Sequence, residues 1–170
     1  IALVSGIAWD HFNVFPDFDG YKNLFSQFMK MTPPTGELIY CKADPLVKSA
    51  AESAQITGKK TPYLAHPSII EAGKTYLKTA YGLIPIQIFG EHNLQNLQGA
   101  MNICESLGVK PEAFYHSIQT FKGASKRQEV ILTTEKGTIY RDFAHAPSKL
   151  QATVKAVKSQ FPNRKLVAVQ

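Results

Sequence analysis

Cysteine is scarce in this chain, and the two present, Cys41 and Cys104, form no CxxC pair. Two thiols cannot build a four-cysteine metal centre, so that class is excluded; both are expected to be reduced and buried, as in a cytosolic protein. No apolar run approaches the ~20 residues that span a bilayer, and no signal peptide is visible, so no membrane partner and a cytoplasmic location are expected. Missing too are a GxxxxGK[ST] phosphate loop, a GxGxxG turn, an HExxH helix, a nucleophile elbow and a Cys/His dyad. Acidic side chains are fewer than basic ones, 13 against 19, for a formal charge of +6. The lysines are scattered, with "KK" at 59–60 among the densest clusters, so no nucleic-acid partner is expected. The excess suits an anionic small ligand such as a nucleotide, or simply a solvated basic surface.

What is present describes a globular α/β protein. A 44% hydrophobic share over 170 residues allows one ordinary domain or parts of two. Both ends read as buried strands, "IALVSGIAWD" and "RKLVAVQ", whose edges need pairing, so a piece of a longer chain is expected.

"IALVSGI" has the continuous apolar character of a strand covered on both faces. Asp17 is placed to cap a helix carrying Phe18, Tyr21, Phe25, Phe28 and Met29, and "ELIYC" reads as the next strand. Asp44-Pro45 signals a further helix to about Ala54. Residues 61–89, with a Gly-centred turn at 72–74, predict two or three antiparallel strands at the side of the sheet. A helix with the stripe Leu94, Leu97, Met101 and Cys104 ends at Gly108, and Pro111 opens another carrying Phe114, Ile118 and Phe121. "FKGASKR" (121–127) reads as a linker, "QEVILTTEKGTIYRDF" as a hairpin, 148–160 as a helix and "KLVAV" as a strand. The fold class expected is a mostly parallel sheet with antiparallel side strands, followed by the start of a Rossmann-like domain, divided at 1–124 and 125–170.

Four places could carry chemistry. In "FGEHNLQN", Asn93 and Asn96 share one face near a helix start, and a carboxamide offers both a donor and an acceptor to a purine edge; alternatively Asn93 caps the helix and Asn96 is surface. Asp10-His11 follows the first strand, where ligands gather in open α/β sheets, so His11 is either a metal ligand or a structural loop histidine. Arg127 could reach a nucleotide from the linker or stand in solvent. Asp142, leaving a strand in "DFAHAP", could hold a ribose hydroxyl or only order its turn.

The order of these pieces is more specific than any one of them. "DHFNVFPDF", "GEHNLQN", "FKGASKRQE" and "RDFAHAPSK" resemble the successive signatures of the Mur ligases, ATP-dependent amide-forming enzymes of peptidoglycan biosynthesis. The resemblance covers essentially the whole chain: the second half of the central ATPase domain and the first part of the C-terminal domain. It implies ATP and Mg²⁺ as cofactors, and UDP-N-acetylmuramate with a peptide or amino acid as substrates. It implies His11 beside Mg²⁺, Asn93 and Asn96 on adenine, and Arg127, Asp142 and His145 toward the nucleotide, Asp142 at its ribose. The implied reaction runs through an acyl phosphate that an amine then displaces, with the phosphate loop outside this chain and the isolated piece inactive. "SGIAWDHFNVFPDF" and the single histidine of His145-Ala146 are most similar to the murein-recycling branch, which attaches a tripeptide; the branch that adds L-alanine is the alternative, as is a module that binds nucleotide without catalysis. No lysine stands within "LFSQFM" (24–29), so the carbamoylated lysine of some members is not expected.

Overall fold

The computed structural model describes residues 1–10 and 13–169, and the chain divides into two compact units. The first comprises Ile1–His66 and Gln95–Pro111; the second comprises Pro67–Leu94 and Glu112–Gln170.

The first unit is built on a parallel sheet of β1 (Ala2–Val4), β2 (Glu37–Cys41) and β3 (Lys59–Tyr63), in that spatial order. Strand β2 is central and buried at every position, and its side chains alternate between two apolar layers. Leu38 and Tyr40 join Val4, Met29, Val47 and Ala51 on the face covered by α1 (Phe18–Lys30) and α2 (Pro45–Ser53). Ile39 and Cys41 face the other way with Tyr63, Leu3 and Ile103, the last carried by helix α3 (Glu91–Ser106). Two covered faces explain why "ELIYC" lacks the polar alternation of a half-exposed strand.

Local chemistry sets the helix starts here. The Asp17 carboxylate accepts from the Gly20 amide at 2.6 Å, and Asp44 Oδ1 accepts from Leu46 and Val47 at 2.8 and 3.1 Å, with Pro45 at the first helical position. Asp44 also accepts the Ile7 amide on Oδ2 at 2.8 Å, which ties the loop after β1 to the start of α2. Strand β1 is shorter than "IALVSGI" suggested, ending at Val4.

Strand β3 corrects the reading of residues 61–89 as wholly antiparallel: 59–63 pair with β2 in parallel register, Lys59 opposite Glu37 and Tyr63 opposite Cys41. Pro62 is tolerated because β3 is the edge of this sheet, where one side needs no ladder donor.

The antiparallel strands expected for this stretch lie in the second unit as β4 (Ser68–Glu71), β5 (Lys74–Thr79) and β6 (Gly82–Ile86). With them are α4 (Pro111–Ile118), the hairpin β7 (Glu129–Thr133) and β8 (Thr138–Arg141), and α5 (Pro147–Gln160). Leu77 is fully buried on β5, and Phe89 meets the rings of Tyr140 and Phe161 edge-on at 5.8 and 6.0 Å. Gln160, almost wholly buried at the end of α5, accepts from Thr75 at 2.9 Å and donates to the Gly73 carbonyl at 2.8 Å. Phe121 lies beyond the end of α4 and is exposed, and Cys104 is half-buried where Cys41 is buried. "KLVAV" forms no strand: among the described residues no neighbouring strand pairs with it, and Val169 is 94% exposed.

Candidate nucleotide site

Helix α3 does not begin on an asparagine. Gly90, at φ +90°, stands immediately before Glu91, and its carbonyl accepts the amides of Asn93 and Leu94. Glycine is required there, because a Cβ would come within 2.5 Å of the Ala156 Cβ in a backbone conformation that already disfavours side chains. Asn93 is therefore the third helical residue rather than the cap, and its side chain is free for another task.

That task is visible in its hydrogen bonds. Asn93 Nδ2 donates to the Phe89 carbonyl at 2.9 Å and to Gln128 Oε1 at 2.8 Å. Both donors of the carboxamide are thus used inside the unit, which leaves Oδ1 as the acceptor it can offer. The main-chain amide of Gln128 in turn donates to Asp142 Oδ2 at 2.8 Å. Three residues far apart in sequence, on α3, before β7 and after β8, form one hydrogen-bonded chain.

The segment before β7 is held in an unusual conformation. Lys126 and Gln128 both have positive φ, +58° and +47°, although neither is glycine. Such strain persists only where the surroundings fix it, and it concentrates at functional sites. Here the restraints are specific: the Lys126 amide donates to Glu129 Oε2 at 2.8 Å, the Lys126 carbonyl accepts the Phe143 amide at 2.8 Å, and Glu129 pairs with Arg141 at 3.0 Å.

Arg127, exposed between these two residues, directs Nη1 to the Phe143 carbonyl at 3.4 Å, with its guanidinium over the Phe143 ring. The rings of Phe143 and His145 are 4.9 Å apart, and His145 Nδ1 is 3.1 Å from the same carbonyl. His92 is half-buried, and burial chiefly lowers its pKa; Asp142 opposes that shift and Arg127 reinforces it. Neutral donors, a half-buried carboxylate and an exposed guanidinium thus meet in one unit.

Of the residues singled out in the sequence, Asn93, Arg127, Asp142 and His145 fall in this neighbourhood. Asn96 lies on α3 in the part counted with the first unit and is exposed. His11 lies outside the described residues. Among those described, no group of three or more His, Cys, Asp or Glu side chains is placed to hold a metal ion. Sequence reasoning missed Gln128 and His92. His92 adjoins Asn93 and could have been flagged by position, whereas nothing about Gln128 distinguishes it before folding. Beside it, a cleft of about 740 Å³ is lined by Lys74, Thr75, Phe89, Gln128, Tyr140 and Gln160, among others.

No family model matches the chain. The UDP-N-acetylmuramate–L-alanine ligase of Desulfitobacterium hafniense is 27% identical over 176 residues, covering 98% of this chain and 39% of that protein. A crystal structure of MurF from Acinetobacter baumannii covers 96% of this chain and 37% of its own, with a TM-score of 0.75 at 19% identity. A murein peptide ligase from Psychrobacter arcticus covers 96% and 35%, with a TM-score of 0.58 at 20% identity. The fold is that of Mur ligases. The chain spans about two fifths of the length of the curated relatives it matches. The sequence similarity supports the Mur ligase resemblance carried by the motifs, and the curated relatives matched include several that carry the alanine-adding name. No described helix is long and apolar enough to cross a membrane.

Proposed function

We propose that this chain carries the adenosine-binding part of an ATP-dependent amide ligase acting in peptidoglycan assembly. The observation that carries the reading is the Asn93–Gln128–Asp142 chain of hydrogen bonds. It combines an uncharged acceptor suited to an exocyclic amine with a carboxylate suited to a sugar hydroxyl. Both Asp142 Oδ1 and Gln128 Nε2 are buried without a partner, as expected of a site shaped for a ligand. ATP would supply the phosphoryl group that activates a substrate carboxylate. The chain's own residues orient the nucleotide: Asn93 and Asn96 at the base, Asp142 at the ribose, Arg127 and His145 nearby. His11 is proposed as one contributor to a Mg²⁺ site. Residues 1–124 would correspond to part of the central domain and 125–170 to the start of the C-terminal one.

The substrates proposed are UDP-N-acetylmuramate and L-alanine, in keeping with the names of the curated relatives. The murein-recycling reading, with a tripeptide in place of L-alanine, is favoured by the stretch "SGIAWDHFNVFPDF" and by the single histidine of His145-Ala146. Phosphate release by the whole protein, given UDP-N-acetylmuramate with either L-alanine or the tripeptide in separate reactions, decides between them. Release with L-alanine alone supports the first, release with the tripeptide alone the second, and release with neither contradicts both.

A further inference from the structure

Helix α5 ends on a polar contact with a distant hairpin. Gln160 Oε1 accepts from the Thr75 hydroxyl at 2.9 Å, and its Nε2 donates to the Gly73 carbonyl at 2.8 Å, across 85 and 87 residues of chain. Both side chains are almost wholly buried, Gln160 at 4% exposed and Thr75 at 3%. The turn between β4 and β5 is shaped to meet them. Ala72 and Gly73 both have positive φ, +48° and +74°, and a Cβ on Gly73 would come within 3.1 Å of the Phe161 ring. For alanine that conformation is strained, and it persists where the surroundings fix it. One turn earlier on α5, Ala156 lies against Gly90 and Lys155 pairs with Glu91 at 3.4 Å. Helix α5 therefore meets the residues before 121–127 at two places, the β4–β5 turn and the start of α3, all within the second unit.

The candidate site is divided along the same line. Asn93 comes from before residues 121–127, Asp142 and His145 from after them, and the chain passes between the two parts once. Contacts across that crossing decide whether the site is assembled. We propose that Gln160 is a positioning residue for the site: its two hydrogen bonds latch the segment after residue 127 onto the β4–β5 turn and so hold Asp142 and His145 beside Asn93. A polar latch is suited to release. When it opens, water can satisfy the carboxamide, the Thr75 hydroxyl and the Gly73 carbonyl, so no group is left unpaired; parting an apolar contact of the same size would expose hydrocarbon. The inference rests on the nucleotide reading, and Gln160 acts on the ligand only through the residues it positions.

The test compares the whole protein with Gln160→Met, which keeps the length of the side chain and removes both hydrogen bonds. Two quantities are read: equilibrium binding of ATP, and the rate of limited trypsin cleavage after Lys122, Lys126 and Arg127, all exposed. Cleavage there follows the population in which the latch is open. Gln160→Met is expected to be cut at these three residues about tenfold faster and to bind ATP about tenfold more weakly, the scale of one net hydrogen bond. Cleavage elsewhere in the chain should stay unchanged, which a general loss of stability would not leave so. Saturating ATP should slow cleavage at the three residues in the unaltered protein, because coupling between ligand and latch is reciprocal. Thr75→Val removes one of the two bonds without changing the shape of the side chain; it should shift both readings the same way by a smaller factor, and it keeps the test should the methionine variant not fold. Faster cleavage with ATP affinity unchanged would overturn the assignment and leave Gln160 a contact of the fold alone. Cleavage rising equally throughout the chain, or neither reading changing, would overturn it as well. No ATP binding by the unaltered protein is a distinct failure: it would overturn the nucleotide reading, and the role of Gln160 in that site with it.

Discussion

Asn93 Nδ2 and Gln128 Oε1 stand 2.8 Å apart, although 35 residues separate them in the chain. The contact joins the first turn of α3 to the strained segment before β7, and it commits the donor end of Asn93 inside the protein. Asn93→Asp replaces that donor with an acceptor facing two other acceptors, Gln128 Oε1 and the Phe89 carbonyl. Stability is expected to fall by about 1–3 kcal/mol, the cost of buried groups left unpaired. Urea unfolding of the two proteins measures it, and an unchanged midpoint would show that the contact carries no weight.

Glu37 in the first unit predicts an acid-sensitive fold. Burial works against its ionisation, yet the hydrogen bonds from Lys59 at 2.8 Å, Ser106 at 2.6 Å and Thr61 outweigh it and hold the carboxyl at about 2. The unfolded chain binds this proton more readily than the folded one. The contribution is therefore complete above the usual carboxylate range and is lost as pH falls from about 4.5 toward 2. Glu37→Gln should flatten the pH dependence of unfolding in that window, as read by thermal melts.

His92 reports on the charges around it. Because burial depresses its pKa, the neutral ring is the folded form, and stability should decline as pH drops through the usual histidine range. Removing the positive neighbour in Arg127→Met should raise the His92 midpoint, while Asp142→Asn should lower it further. Histidine ring resonances followed by NMR against pH test both directions. Equal midpoints in all three proteins would contradict the placement of these side chains.

Gly90 should not tolerate a methyl group. Gly90→Ala places a Cβ 2.5 Å from that of Ala156 at φ +90°, and a loss of about 2–4 kcal/mol follows from strain and overpacking together. Adding Ala156→Gly should recover the overpacking part but not the backbone part, which a double-mutant cycle of unfolding free energies separates.

Much of the fold was legible because its signals are local. Asp17 and Asp44-Pro45 cap their helices as read, since a carboxylate two or three residues ahead of a free amide needs no distant partner. The misreadings concern strands, which depend on neighbours. Lys59–Tyr63 carries a proline and an aromatic like the hairpins after it, and only its pairing with β2 makes it parallel. "KLVAV" has strand composition but no strand beside it among the described residues. At the candidate site, motif order singled out Asn93, Asp142, Arg127 and His145, which the fold brings into one neighbourhood, whereas composition and spacing alone left each with an ordinary structural explanation. Gln128 was not legible at all. Its role arises from a positive φ and from partners 35 and 14 residues away, none of which leaves a trace in the local sequence.

The most direct test of the central claim follows the side-chain amide resonances of Asn93 and Gln128 in the whole protein as ATP is added. Saturable shifts of both, abolished together with ATP binding in Asp142→Asn, are the expected result. Saturable ATP binding that leaves the Asn93 and Gln128 amides unmoved would put the nucleotide elsewhere and contradict the account.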